Sequence, residues 1–186
     1  VDYGYAAESA VIWAAVDPDD DTLIIYRELY QKGLTGEDLA ERMTAYEVDD
    51  AYSISGVLDG AAWNRTGYTG PTIGETLVRA GHKLRPADKN RLAGKIQIHE
   101  RLKLNKIDGR PKMQIFNSCP HLIRELQTIP VDKIRPEDVD TKAPDHAYDA
   151  LRYLIMSRPR STPQDSMFEF KRNLDTATVS DEIFGY

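Results

Sequence analysis

Five positions carry side chains that could bind a metal ion, and all of them fall near the predicted ends of helices or strands. Asp2 stands in VDYGY, just before the first predicted hairpin, and Asp59 ends the predicted strand SISGVL. Asp145 and Asp149 flank the start of the last predicted helix, where His146 lies three residues before Asp149 and on the same helix face. Such positions are typical of a site assembled from distant segments of a chain.

The chemistry that these residues predict is that of divalent cations. Hard cations such as Mg²⁺ prefer oxygen ligands, and a cation offsets the repulsion between carboxylates that are held close together. Two such ions about 3.5–4 Å apart can contact both the attacking water and the leaving oxygen of a phosphodiester. Glu8 could join Asp2 in the same set of ligands.

Most of these positions also have a purely structural interpretation. Asp2 can be an ordinary solvated residue, Asp59 can begin a turn, and Asp145 can cap the last helix. Glu8 can form a surface ion pair. Asp149 lies inside the predicted helix, where capping does not explain it, and it shares a face with a histidine.

Charge is distributed unevenly along the chain. The net charge is −6, but the segment 83–112 contains ten Lys and Arg against three acids and carries +7, so the remainder carries −13. We interpret this segment as a surface that binds nucleic-acid phosphates rather than as a solvated face. The side chains expected to contact the DNA backbone are Lys83, Arg85, Lys89, Arg91, Lys95, Arg101 and Lys103. In the glycine-rich loop, Trp63, Asn64 and Tyr68 could stack on bases or could anchor the loop.

Composition and missing motifs exclude several classes of protein. With 186 residues, of which 41% are apolar and 29% charged, the chain is not collagen-like, coiled-coil or wholly disordered. A single cysteine excludes a disulfide framework and a cysteine zinc site, and favours an intracellular setting. The chain contains no P-loop, dinucleotide-binding glycine motif, HExxH or GxSxG. Because it begins at Val1 without a methionine or a signal-peptide pattern, we interpret it as a fragment of a longer protein.

The hydrophobic patterns predict an α/β fold with a mixed sheet and helices packed against it. Two apolar runs, 9–16 and 22–30, surround a Pro/Asp turn and predict an antiparallel hairpin. Helices are predicted at 35–46, 72–80, 90–104, 119–129 and 145–156, and further strands at 52–58 and 113–116. The basic helix 90–104 is expected to face inward with Leu92, Ile96 or Ile98, and Leu102. One domain is predicted over 1–157, followed by a flexible tail over 158–186.

Five sequence segments are more specific than these patterns. They are DYGY, IIYRELYQKGLTGEDLAERM, VLDGAAWN, KNRLAGKIQIHERL and APDHAYDALRY, in this order between about Val1 and Ile155. Together they resemble the C-terminal nuclease domain of the large terminase subunit of tailed bacteriophages, and DHAYDALRY is the most specific of them. The resemblance implies an RNase H-like α/β fold, a mixed β-sheet flanked by helices with an added β-hairpin. It also implies a two-metal-ion endonuclease that uses Mg²⁺ or Mn²⁺ to cleave concatemeric double-stranded viral DNA during genome packaging.

The resemblance further implies roles for the acidic residues. Asp2 and Asp59 would hold one ion and would form the catalytic set with Asp149. Asp2 and the ligands of the last helix would hold the second ion. The metal ligands implied in total are Asp2, Glu8, Asp59, Asp145, His146 and Asp149, with the choice among the last-helix side chains left open.

The partners implied by the resemblance are double-stranded DNA, an N-terminal ATPase domain of the same full-length protein, the portal protein and the small terminase subunit. The implied location is the cytoplasm of the infected bacterial host and not the mature virion. Because no base-reading motif is present, we expect cleavage with little sequence preference. Two alternatives stay open: another RNase H-like nuclease of the resolvase or transposase type, and a non-catalytic module that docks on DNA or on the portal.

Overall fold

A computed structural model of the chain describes residues 1–65, 70–106, 108–130 and 144–158. Its strands are β1 (Glu8–Val16), β2 (Leu23–Lys32), β3 (Ser55–Leu58), β4 (Lys83–Pro86) and β5 (Met113–Ile115). Its helices are α1 (Gly36–Glu47), α2 (Ile73–Arg79), α3 (Arg91–Leu102), α4 (Pro120–Thr128) and α5 (His146–Ser157), with a 3₁₀ turn at Gly60–Trp63. Tyr68 and, apart from Arg158, the predicted tail lie outside the described residues.

The predicted N-terminal hairpin is confirmed. β1 and β2 pair antiparallel over their whole lengths, with a bulge between Trp13 and Ala14. β5 joins the other side of β2 in parallel, with Leu23 opposite Met113, so β2 is the middle strand of this three-stranded sheet. Residues from β1 are buried on both faces of the sheet, which explains why the run SAVIWAAV is apolar throughout.

Val1 and Asp2 connect this sheet to a second pair of strands. Asp2 pairs with Ala10 of β1 through two hydrogen bonds of 2.8 Å. On its other side, the Val1 nitrogen donates to the Val57 oxygen at 2.8 Å, and the Val1 oxygen accepts from the Asp59 nitrogen at 3.0 Å. β3 pairs in parallel with β4. Across the resulting mixed sheet the order is therefore β5, β2, β1, the first two residues, β3 and β4.

Helices cover both faces of this mixed sheet. On one face, Ile12 of β1 shares a buried cluster with Leu151 of α5. On the other face, Val11 shares a buried cluster with Leu39 of α1 and Leu77 of α2. Each face therefore buries its own apolar layer, which is the main contribution to folding. No helix in the described part of the chain is long and apolar enough to cross a membrane.

The basic helix α3 turns a different face inward from the one predicted. Ile98 is buried, but the exposed fractions are 47% for Leu92, 52% for Ile96 and 40% for Leu102. The close packing of α3 on α5 explains the difference, because a Cβ added to Gly94 would lie only 2.3 Å from Cγ of Arg152. The face that packs inward follows Gly94, Ile98 and Arg101.

Candidate functional site

Backbone pairing places Asp2 beside Asp59. In a parallel ladder, a residue that donates to one position and accepts from the position two residues later lies opposite the residue between them. The bonds of Val1 to Val57 and Asp59 therefore put Val1 opposite Leu58. Asp2, the next residue, lies beside Asp59, and side chains paired in this way project from the same face. The two carboxylates, 14% and 15% exposed, are thus neighbours at the end of β3.

Helix α5 contacts both of these carboxylates. His146 Nδ1 lies 3.0 Å from Asp2 Oδ2, and His146 Nε2 lies 3.7 Å from Oε2 of Glu8. The Tyr153 hydroxyl donates to Oδ1 of Asp59 at 3.3 Å. His146 and Tyr153 are two helical turns apart, so one face of α5 reaches both strands. The structure therefore brings Asp2, Glu8 and His146 together, next to Asp59.

Asp145 and Asp149 belong to the first turn of α5, and their side chains are 15% and 13% exposed. Asp145 stands at the N-cap position, but its side chain makes no capping hydrogen bond, so capping does not explain this carboxylate. Arg152 contacts Asp149 through two nitrogens, at 3.0 Å from Oδ1 and 2.9 Å from Oδ2. Arg91 of α3 reaches Asp149 at 3.4 Å and Asp145 at 3.8 Å.

Asp145 is the site carboxyl whose titration is most clearly altered. Burial, and then the nearby Asp149, raise its pKa from 3.8 to about 6. Asp2 raises the pKa further, whereas Arg91 and His146 lower it. This carboxyl therefore changes charge close to neutral pH, where an ordinary aspartate is fully ionised.

Tyr153 is close enough to three carboxylates to be affected by all of them. Burial, and then the charges of Asp149, Asp59 and Asp2, raise the pKa of its phenol above the usual value. The pKa of His146 is also raised, mainly by the hydrogen bond to Asp2 and against the effect of burial. Acids from the chain start, from β3 and from α5 therefore lie in one electrostatic neighbourhood, as the sequence predicts.

Each of these carboxylates faces a cationic or protonatable side chain. The pairs are Asp2 with His146, Asp59 with Lys89, Asp145 with Arg91, and Asp149 with Arg91 and Arg152. Within the described residues, no group of three or more Asp, Glu, His or Cys side chains is already arranged to hold a metal ion. The donor chemistry nevertheless fits Mg²⁺ or Mn²⁺, because recessed carboxylate oxygens are the ligands these ions prefer. Lys89, 55% exposed and 3.1 Å from Asp59, is the partner most easily displaced.

The structure does not fit the phosphate contact predicted for Arg101. This side chain is 1% exposed, and its guanidinium donates to the backbone oxygens of Asp21 at 3.1 Å and Arg158 at 3.2 Å. The prediction failed because α3 turns Arg101 inward on the same face as Ile98. A buried guanidinium that bonds to backbone oxygens holds the fold together and cannot reach DNA.

The other basic residues have different surroundings. Lys89 and Arg91 contact the carboxylates described above, a placement that the sequence did not suggest. Lys83 and Lys103 are exposed, with contacts to Ser53 and Glu100. DNA contact stays a prediction for the remaining members of the set, Lys83, Arg85, Lys89, Arg91, Lys95 and Lys103.

Trp63 anchors its loop, which is one of the two interpretations left open by the sequence. Its ring packs against the cluster that contains Leu58, and a Cβ added to Gly74 would lie 2.5 Å from the ring. Asn64 is exposed, and Tyr68 lies outside the described residues. Base stacking therefore has no support from Trp63.

Arg152 and Tyr153 are site residues that the sequence reasoning missed. They follow Asp149 by three and four positions, the two spacings at which helical side chains are neighbours. That spacing within DHAYDALRY is the signal that could have identified them. Their contacts with Asp149 and Asp59 link α5 to the end of β3.

The sequence matches no protein-family model and no curated protein, but the structure has clear neighbours. The nuclease domain of the P22 large terminase matches with a TM-score of 0.65 and 18% identity, over 84% of this chain and 78% of that one. A large terminase from a thermophilic bacteriophage, in complex with ATP-γ-S, gives 0.63 and 17%, over 83% and 38%. The nuclease domain of the bacteriophage SPP1 large terminase, with bound Mn, gives 0.53 and 20%, over 83% and 81%. The resemblance is confirmed at the level of the RNase H-like α/β fold.

Proposed function

We propose that this domain is a divalent-metal-dependent endonuclease that cleaves concatemeric double-stranded DNA during phage genome packaging, as the nuclease part of a large terminase subunit. The observation that carries the proposal is the adjacency of Asp2 and Asp59 under the face of α5 that contains His146. The neighbours of the same fold are large-terminase nuclease domains, and one of them has bound Mn. The larger terminase of the thermophilic phage, in complex with ATP-γ-S, supports an N-terminal ATPase domain as partner. By the same likeness, the proposed place of action is the host cytoplasm, with the portal protein and small terminase subunit as further partners.

The proposed metal ligands are the carboxylates of Asp2, Asp59 and Asp149, with Glu8, Asp145 and His146 in reach of the same recess. When bound, divalent ions there would lower the pKa of a water molecule and offset the charge that accumulates on the phosphate oxygens. We propose two ions, by the chemistry of phosphodiester hydrolysis and not from the number of ligands in place.

The surrounding side chains fix the directions of these carboxylates. Arg152 holds both oxygens of Asp149, and the Tyr153 hydroxyl holds one oxygen of Asp59. His146 holds one oxygen of Asp2. Pre-organised ligands of this kind need little rearrangement when a charged substrate arrives, which is the main protein contribution to such catalysis.

The basic residues that border the recess are proposed to hold the DNA backbone. Lys89 and Arg91 precede or begin α3 and reach the carboxylates, so the exposed side chains of that helix lie near the same recess. Lys103 is exposed at the other end of α3. A duplex that contacts both ends of α3 would pass the carboxylates. Phosphate contacts carry no sequence information, so we propose cleavage with little sequence preference.

The test is digestion of supercoiled plasmid in Mn²⁺ or Mg²⁺ by the wild type, by Asp59→Asn and by Asp149→Asn. Each substitution removes a charge from the proposed site, and we expect cleavage to fall at least about 100-fold. Asp19→Asn, an exposed residue in the β1–β2 turn, is the matched control and should cut normally. Normal cutting by both site variants would contradict the proposed site.

A non-catalytic docking module is the second candidate, because the described residues hold no ready group of three metal ligands. Titration with Mn²⁺ separates the two candidates, since an ion that binds only the native state raises the melting temperature. Stabilisation that disappears in Asp59→Asn supports the nuclease. Absence of both stabilisation and cutting supports the docking module. Preference for branched over linear DNA would indicate a resolvase instead.

A further inference from the structure

A cavity of about 540 Å³ separates β1 from β3 on the amino side of Val1. One wall is formed by residues 11–14 of β1 and the other by residues 55–57 of β3, with Leu84 and Leu154 also lining it. At its closed end, Val1 and Asp2 bond to β1 on one side and to β3 on the other. The gap between the two strands is therefore one strand wide at that end. We call this cavity the central slot.

Backbone polar groups of both walls point into the central slot. The nitrogen and oxygen of Ala10 both bond to Asp2. In an antiparallel strand, every second residue directs its N–H and C=O to the same side, so Ile12 directs both groups into the slot. On the opposite wall, the Val57 oxygen accepts from Val1, and the Val57 N–H points the same way. The slot thus has on each side the donors and acceptors that a paired strand requires.

The amino group of Val1 opens directly into the central slot. Val1 is 9% exposed, and its nitrogen donates to Val57. Burial lowers the pKa of this amine to about 6, although the charges of Asp2 and Asp59 act in the opposite direction. A peptide nitrogen would make the same hydrogen bond without a buried charge. A residue joined to this nitrogen has to continue into the slot.

We propose that the central slot binds an extended apolar segment joined to the nitrogen of Val1, which runs antiparallel to β1 and parallel to β3 as the central strand of the sheet. Counting from Asp2 opposite Ala10, the residue before Val1 lies opposite Ile12 and Val57. The two residues before it lie opposite residues 13 and 14 of β1 and residues 56 and 55 of β3. Because helices cover both faces of the sheet, all three positions favour apolar side chains.

The occupant follows from the geometry of the slot. Its walls are mostly apolar, and their polar groups belong to the backbone, which suits an extended peptide and no small charged ligand. Only a segment joined to Val1 also removes the buried charge of the amine. A separate strand entering from outside would leave that amine in place.

The test compares two extensions of equal length fused to Val1, Gly-Ser-Ile-Val-Val and Gly-Ser-Gly-Ser-Gly. The apolar extension should raise the melting temperature by at least about 3 °C relative to the flexible one. Amide hydrogen exchange at Ile12 and Val57 should slow by about tenfold, as expected for new backbone hydrogen bonds. Val11 is the internal control, because alternation directs its amide to β2.

Equal melting temperatures and equal exchange in the two extended proteins would overturn the proposal. Equal protection by the free peptide acetyl-Gly-Ser-Ile-Val-Val-amide would also overturn it, in favour of a strand supplied by another chain. Protection that requires the covalent link supports it.

A second measurement rests on the proposed function. A continuous central strand would hold Asp2 more firmly, so the apolar extension should also tighten Mn²⁺ binding measured by calorimetry. Unchanged Mn²⁺ binding together with slowed exchange at Ile12 would contradict the metal site and leave the central strand supported. The failures of the two proposals are therefore distinguishable.

Discussion

The ammonium of Lys89 lies 3.1 Å from Oδ1 of Asp59. The aliphatic part of the lysine lies against Gly60, where an added Cβ would be 2.6 Å from the lysine Cε. Lys89 therefore supplies positive charge at the carboxylate that ends β3. A divalent cation that binds Asp59 has to displace this ammonium, because two positive charges at one carboxylate repel each other.

We predict that Lys89→Met tightens Mn²⁺ binding. An exposed ion pair contributes at most about 1 kcal/mol, so the expected gain is about 2- to 5-fold in the dissociation constant, measured by isothermal calorimetry. Lys83→Met is the matched control, since it removes the same charge from the same basic segment but contacts only Ser53, at 2.8 Å. An equal gain in both variants would indicate a general charge effect and would contradict competition at Asp59.

Asp145 should make the stability of the protein depend on pH. Its folded-state pKa of about 6 lies above the ordinary 3.8, so its contribution to stability is complete below the unfolded pKa and is lost as the pH rises through about 6. Asp145→Asn removes this loss. We expect the variant to be more stable than the wild type at pH 8 by up to ~3 kcal/mol and equal to it near pH 4.

The measurement is urea unfolding with EDTA present, at a series of pH values. His146, whose pKa is also raised, gives a loss of stability in the same direction in both proteins, so the difference between them isolates Asp145. Asp19→Asn should show no such pH-dependent difference. A constant difference between Asp145→Asn and the wild type across the whole range would refute the prediction.

Several elements could be predicted from local sequence alone. The hairpin follows from two apolar runs around a turn, and α1 begins where Thr35 and Asp38 form a capping box. β4 was not predicted, because KLRP has no apolar alternation and is a strand only through its pairing with β3. Segments of this kind depend on tertiary partners rather than on their own composition.

The site was predictable in its acids and not in its cations. Asp2 and Asp59 were identifiable because each stands at the end of an apolar run, although nothing local indicates that Val1 pairs with Leu58. Lys89 carries the same charge whether it faces a phosphate or a carboxylate. Sequence therefore gives the sign of the charge on α3, and only the fold decides what that charge contacts.

Arg152 is expected to be the residue on which the position of Asp149 depends most. Its side chain is 2% exposed and makes two contacts with the carboxylate. Arg152→Met keeps the volume but leaves the carboxylate with Arg91 as its remaining cation among the pairs described, and removing one partner of a buried pair costs about 3–5 kcal/mol. We expect a loss of this size in urea unfolding.

The double variant Arg152→Met with Asp149→Asn should recover part of this loss, because it removes the unpaired charge. Arg158→Met is a comparison at the surface. The Arg158 side chain is 61% exposed, and its ion pair with Asp21 should contribute at most about 1 kcal/mol. Equal losses in Arg152→Met and Arg158→Met would show that Arg152 does not hold Asp149.

Arg101 and Lys103 lie two residues apart near the end of α3 and are expected to behave in opposite ways. The Arg101 side chain is 1% exposed and the Lys103 side chain 66% exposed. If Lys103 contacts a phosphate, Lys103→Ala weakens duplex binding and lowers the slope of log K against log salt by about 1. Arg101→Met should leave that slope unchanged while lowering the free energy of unfolding by at least about 1.5–3 kcal/mol, because charged hydrogen bonds to buried backbone oxygens are lost.

The measurement is fluorescence anisotropy of a labelled duplex at several KCl concentrations without divalent ions, next to urea unfolding of the same proteins. A lower salt slope in Arg101→Met with unchanged unfolding would mean that Arg101 leaves its buried position to contact DNA. An unchanged slope in Lys103→Ala would exclude this end of α3 from the duplex path. The duplex would then have to reach the carboxylates from the Lys89 end of the helix alone.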